Sequence, residues 1–211
     1  LNEGDQADQI ASRVLDGVGK GRKYSDYAIL YRMNTQSNAL ERNFVKSGIP
    51  YRIIGGLRFY ERREIRDMIA YLSVVNNPYD EVRLRRIINV PKRAIGDKTV
   101  AQASAIAAGL GESLFDVISR ADEFEPLKRS ASKLLQFAAM IQECIKAAEQ
   151  SSLEELYQLI LEKTGYIDSL RENENEDPQD RIDNINGLAS SLIQYEEDAG
   201  EEASLAGFLE E

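Results

Sequence analysis

Histidine is absent from these 211 residues, and cysteine occurs once, as Cys144. Without histidine the chain lacks the commonest general base and metal ligand, and every Ser-His or Cys-His nucleophile pair is excluded. A self-contained hydrolase is a poor fit. A single cysteine excludes a disulfide within the chain. Cys144 falls at an apolar helical position, which predicts core packing and suits a cytoplasmic setting. No apolar run approaches bilayer length, and the opening "LNEGDQADQI" has neither a basic nor an apolar region, so neither membrane insertion nor secretion is expected. The chain starts without methionine and stops in "SLAGFLEE", which predicts a segment of something longer.

What is present reads as globular: 43% hydrophobic and 29% charged residues, in a length that holds one large domain or two small ones. The formal net charge of -10 hides an asymmetry. Residues 1–100 carry 18 Lys+Arg against 12 Asp+Glu, net +6, while residues 101–211 carry 8 against 24, net -16. Such a split predicts that the first half meets an anion and that the second is a solvated or protein-facing surface.

From Gly4 to Val18, Ala7, Ile10, Ala11, Val14 and Leu15 give a helical stripe that the glycines of "GVGKG" end. "YAILYR" predicts a buried strand, "SNALERNFVKSG" a helix closing on Gly48, and "YRIIGG" a second strand. This is a βαβ pattern, with two parallel neighbours and a right-handed crossover. Beyond Gly56 only helical periodicity remains. Ile65, Met68, Ile69, Leu72 and Val75 mark one amphipathic helix, Asp80 opens the next, and "SLEE" at Ser152 is a capping box. After the acidic "ENENED", Asp177 and Pro178 suit the cap and first position of a helix carrying Ile182, Ile185, Ala189 and Leu192. The predicted fold is α/β, a βαβ piece of a parallel sheet, followed by an all-α domain.

Between two of those helices lies "NVPKRAIGDKTV", residues 89–100, a basic turn in an acidic chain. A tight helix-turn-helix connection can aim backbone N–H groups and a helix N-terminus at one phosphate, because those donors lack intrahelical partners. Gly96 would permit close approach, Lys92, Arg93 and Lys98 supply charge, and Thr99 supplies a hydroxyl. The alternative is an ordinary connection with solvated charges. The stretch resembles the helix-hairpin-helix DNA-binding motif, with Ala94 where that motif has its first glycine. Arg32, Asn34 and Gln36 fall just past the first predicted strand, where α/β sheets place ligand loops; the alternative there is a turn capped by Ser37.

"LYRMNTQS", "YRIIGGLRFYERREIRD" and "NVPKRAIGDKT", in this order and spacing, closely resemble the superfamily 1 DNA helicases of the UvrD, PcrA and Rep group, over essentially the whole chain. The resemblance implies that residues 1–60 are part of the second RecA-like motor domain (2A). It implies that residues 61–211 are the inserted helical domain (2B), duplex-binding and regulatory. Arg32, Asn34 and Arg66 would then touch single-stranded DNA, and Gly96, Lys98 and Thr99 the duplex backbone. Many relatives have arginine at the place of Asn38 and glycine at that of Ala94.

Equally, the chain has no G-x-x-x-x-G-K-[ST] loop; "GVGKGRK" lacks the spacing and reads as a helix stop. The resemblance therefore implies a parent 3′ to 5′ helicase of repair and replication that uses ATP and Mg²⁺. Neither would be bound by this segment alone. Implied partners are DNA as single strand and duplex junction, the remaining segments of the same helicase, and repair or transcription proteins reached through 2B. A non-enzymatic DNA-binding adaptor and a protein-interaction module using the acidic helical half are the rival readings.

Overall fold

The computed structural model describes residues 3–31, 36–54, 57–172 and 178–210. Every regular element among them is helical. In chain order they are α1 (Glu3–Gly19), α2 (Gln36–Lys46), α3 (Arg63–Asn76), α4 (Glu81–Ile87), α5 (Asp97–Leu110) and α6 (Leu114–Ile118). The second half adds α7 (Ala131–Ala148), α8 (Leu153–Thr164), α9 (Tyr166–Arg171), α10 (Gln179–Ala199) and α11 (Leu205–Glu210). Short 3-10 turns lie between several of them. No helix among the described residues is long and apolar enough to cross a membrane. The chain divides into two compact units, Leu1–Arg66 with Asp177–Gly187, and Asp67–Glu176 with Leu188–Glu211.

In the first unit the α1 stripe behaves as its spacing dictates: Ala7, Ala11 and Val14 are buried, the last two against Phe44 and Ile49. Leu15, predicted on the same stripe, is exposed. Two small alanines let α1 approach α2 closely, and the Phe44 ring meets Tyr51 edge-on at 5.8 Å. Past Lys46 the chain turns at Gly48, whose φ of +65° is open to glycine without strain.

The expected βαβ sheet piece is absent: neither 27–31 nor the described part of 51–56 forms a strand, and no ladder exists among the described residues. The α/β RecA-like assignment is thus corrected to an all-helical fold with extended connections. The physical reason lies in the alternation itself. Tyr27, Ile29 and Tyr51 pack onto the α1–α2 core. Leu30 and Ile54, which a sheet would cover, are 97% and 83% exposed. Period-2 apolar patterning specifies an extended chain with two faces, but a parallel ladder also needs flanking strands and a covering layer.

Buried polar groups close this unit. Glu41 accepts the Phe59 backbone N–H at 3.2 Å, and Phe59 is fully buried. The Arg62 guanidinium donates to Ser37 Oγ at 2.8 Å and to Asn184 Oδ1 at 2.5 Å; the Asn184 amide donates to Glu64 at 2.6 Å. Arg181 sits 3.4 Å from Glu64, and the Asn38 amide donates to the Gly187 carbonyl. Ser37 is therefore a buried partner inside α2 rather than the helix cap. Asp177 lies outside the described residues.

The second unit is built on apolar stripes at helical spacing. Met68, Leu72 and Val75 of α3 are buried, as are Leu84, Ile87, Leu134, Ile141, Tyr157, Ile160 and Leu192. Each such aliphatic side chain contributes about 1.5–3 kcal/mol on full burial. Asp80 caps α4 by accepting the Arg83 N–H, and Ser152 with Glu155 forms the predicted capping box of α8. Asp67, buried, takes Arg86 at 2.7 Å and the Tyr166 hydroxyl at 2.7 Å, tying α3, α4 and α9 together. Cys144 is buried as predicted. Burial pushes its thiol up to about 11, so the reactive thiolate is not populated near neutrality.

Candidate nucleic-acid interface

The hairpin lies between the end of α4 and the start of α5, and its shape is set by three side chains. Asn89 Oδ1 accepts the backbone N–H groups of Arg93 at 2.8 Å and Ile95 at 3.2 Å, closing the turn on itself. Arg93 points inward. Its guanidinium donates to the Ile87 carbonyl at 3.1 Å, the Pro91 carbonyl at 3.2 Å and the Tyr71 hydroxyl at 2.7 Å, and lies 5.2 Å from the Phe137 ring centroid. Burial pushes the Tyr71 phenol up to about 12, against the opposing Arg93 charge. It therefore keeps its proton and donates to the Val90 carbonyl at 2.5 Å while accepting from Arg93. Ile95 and Val100 anchor the far side in the core.

This clasp changes one sequence expectation. Arg93, expected among the cations offered to a phosphate, is a structural tie, whereas Lys92 and Lys98 are exposed with no carboxylate partner among the described residues. Asn89 and Tyr71 were not singled out by sequence. An asparagine just before a proline turn was the available signal.

Ala94 occupies the left-handed region, with φ +56°. That explains physically why a glycine suits this place in the motif. Ala94→Gly should remove about 1–2 kcal/mol of backbone strain and add about 0.5–1 kcal/mol of unfolded-chain entropy. A net stabilisation of about 0.5–1 kcal/mol is expected in urea unfolding, and Ala94→Val should destabilise. A loss above about 1 kcal/mol for the glycine variant would contradict the strain assignment.

Gly96 differs in kind. Its φ of -81° and ψ of 161° suit any residue, and a Cβ there would meet nothing within 4 Å. Nothing inside the fold requires glycine at 96. It is the N-cap of α5, accepting the Thr99 N–H at 2.9 Å, and has no side chain to satisfy the helix's first donors. Asp97 in the first turn favours the helix start and partly offsets the field of Lys98. The half-buried Thr99 hydroxyl lies 3.3 Å from the hydroxyl of Ser130.

Gly96, Lys98 and Thr99 are thus gathered at one helix start in the second unit. Arg66 is exposed on α3 and belongs to the first unit. Arg32 and Asn34 lie outside the described residues.

The start of α5 thus places a bare glycine two positions before an exposed lysine that has no carboxylate partner among the described residues, and a helix start of this kind can bind a phosphate. Residues 2–211 match the UvrD-like helicase C-terminal domain, and the chain belongs to that family. Over 210 residues it is 38% identical to the ATP-dependent DNA helicase PcrA of Staphylococcus epidermidis and 37% identical to that of Staphylococcus aureus. Both alignments take in 99% of this chain, which spans 29% of the length of those relatives.

Proposed function

We propose that this chain is the DNA-contacting segment of an ATP-dependent 3′ to 5′ DNA helicase acting in repair and replication. Residues 1–60 belong to its second motor domain and 61–211 to the inserted helical domain. Gly96, Lys98 and Thr99 hold the duplex backbone. Arg32, Asn34 and Arg66 contact the single strand. The observation that carries the reading is Gly96, which neither backbone conformation nor neighbouring atoms require, at the start of a helix whose Lys98 has no carboxylate partner among the described residues. Phosphate contact there sets register and affinity without reading sequence. Further partners, the rest of the helicase and repair or transcription proteins, follow from the same reading.

On this reading ATP and Mg²⁺ are bound by other segments of the parent, in keeping with the lack of a G-x-x-x-x-G-K-[ST] phosphate-binding loop in this sequence. In the proposed parent, ATP hydrolysis supplies the work of stepping, while this chain's residues bind and orient DNA. The purified chain should release no phosphate from ATP above background, with or without DNA, whereas the full-length protein should show DNA-stimulated turnover. Turnover rising in proportion to the highly purified chain would overturn the proposal.

A further inference from the structure

Connections in the second unit differ in what holds them. At Ser113, Ser152 and Gly165 the chain turns on helix caps, whose bonds are made within a few residues of the turn. The hairpin between α4 and α5 is held from inside. Tyr71, fully buried in α3, donates its hydroxyl proton to the Val90 carbonyl at 2.5 Å and accepts from Arg93 at 2.7 Å. Arg93 also takes the Ile87 and Pro91 carbonyls, and Asn89 takes the Arg93 and Ile95 N–H groups. Three side chains thus satisfy five backbone groups between Ile87 and Ile95, in a stretch that has no helix ladder to satisfy them.

The clasp stands directly before the helix start. Gly96, the N-cap of α5, follows Ile95, so the shape of the clasp decides where the first N–H groups of α5 and Lys98 are presented. We propose that Tyr71 is a positioning residue for duplex binding: its buried hydroxyl, through Arg93 and the Val90 carbonyl, holds the hairpin in the shape that offers the start of α5 to a phosphate. This inference rests on the hairpin reading and adds a residue that never touches DNA.

A loop already in its bound shape avoids the ordering cost that binding otherwise carries. Tyr71→Phe keeps the ring in the core and removes only the hydroxyl with its two hydrogen bonds. The loosened hairpin would then be ordered at the moment of binding, which should weaken duplex affinity by about 3- to 10-fold. The number of phosphates neutralised stays the same. The slope of log K against log salt therefore stays at the parent value, whereas a lost phosphate contact lowers it by about 0.9.

Fluorescence anisotropy of the full-length protein, on two unrelated duplexes and a bare single strand across a salt series, tests this. Each variant is first shown to be folded by far-UV circular dichroism. Tyr71→Phe should weaken binding equally on both duplexes, with the slope unchanged and the single strand unaffected. A hydroxyl that serves stability alone would leave duplex affinity unchanged in the folded protein. In the background of Lys98→Ala with Thr99→Ala, Tyr71→Phe should cost little more, because a hairpin that has lost its phosphate gains nothing from being positioned. Fully additive losses overturn the proposal. So does an unchanged duplex affinity in Tyr71→Phe; if Lys98→Ala with Thr99→Ala still weakens duplex binding in that case, the hairpin reading stands alone. No loss in either variant removes both. Should Tyr71→Phe fail to fold, Arg93→Met carries the same test: a loss of duplex affinity at constant slope supports the clasp, and a slope lower by about 0.9 makes Arg93 a phosphate contact and overturns it.

Discussion

Arg62→Ala is expected to lower the unfolding free energy by about 3 kcal/mol, because two buried groups that it satisfies would each lose a partner at about 1–3 kcal/mol apiece. Those groups are Ser37 Oγ of α2 and Asn184 Oδ1 of α10, residues that lie 25 and 122 positions away in sequence. Asn184 in turn donates to Glu64, so loss of Arg62 loosens a chain of contacts rather than one bond. The guanidinium also lies 5.4 Å from the ring centroid of the fully buried Phe59, and that packing goes with it. Arg62→Lys should recover only part, since an ammonium cannot reproduce the planar fork. Urea unfolding followed by far-UV circular dichroism measures the effect. An alanine variant within about 0.5 kcal/mol of the parent would show that these hydrogen bonds are dispensable, as surface substitutions usually are.

Local patterns carried most of the helical half. The stripe Ile65, Met68, Ile69, Leu72, Val75 and the caps at Asp80 and Ser152 are short-range features; the structure contains the caps and buries the stripe as predicted except for Ile69, which is half-buried. The sheet failed for a different reason. "YAILYR" and "YRIIGG" carry real period-2 patterning, seen in the inward Ile29 and outward Leu30, but pairing depends on neighbours that patterning cannot reveal.

At the site, the hairpin and Lys98 were visible from composition and spacing. The inward turn of Arg93 was not, because a basic residue in a turn reads the same whether it faces a phosphate or a tyrosine. The Thr99–Ser130 and Arg62–Asn184 contacts join distant segments, and no local rule encodes them.

The second large effect is expected at the start of α5. Lys98 is exposed with no carboxylate partner among the described residues, and Gly96 has open space where a side chain would stand. A duplex phosphate seated there would receive the first backbone donors of α5 and the lysine charge together. Removing the lysine would take away one counter-charge, while a methyl added at 96 would hold such a phosphate off the backbone. Both changes should leave folding intact, because neither Lys98 nor the Gly96 Cα hydrogens support the interior.

The most direct measurement is duplex and single-strand affinity of the full-length protein, by fluorescence anisotropy over a salt series, for Gly96→Ala and for Lys98→Ala with Thr99→Ala. Duplex binding should weaken in both variants, to the same degree on unrelated sequences. The double variant should lower the salt slope by about 1. Single-strand affinity should stay at the parent value, and urea stability within about 1.5 kcal/mol of it, the loss of the Thr99–Ser130 hydrogen bond included. Equal losses on duplex and single strand, or no loss on either, would contradict duplex-phosphate binding by this hairpin.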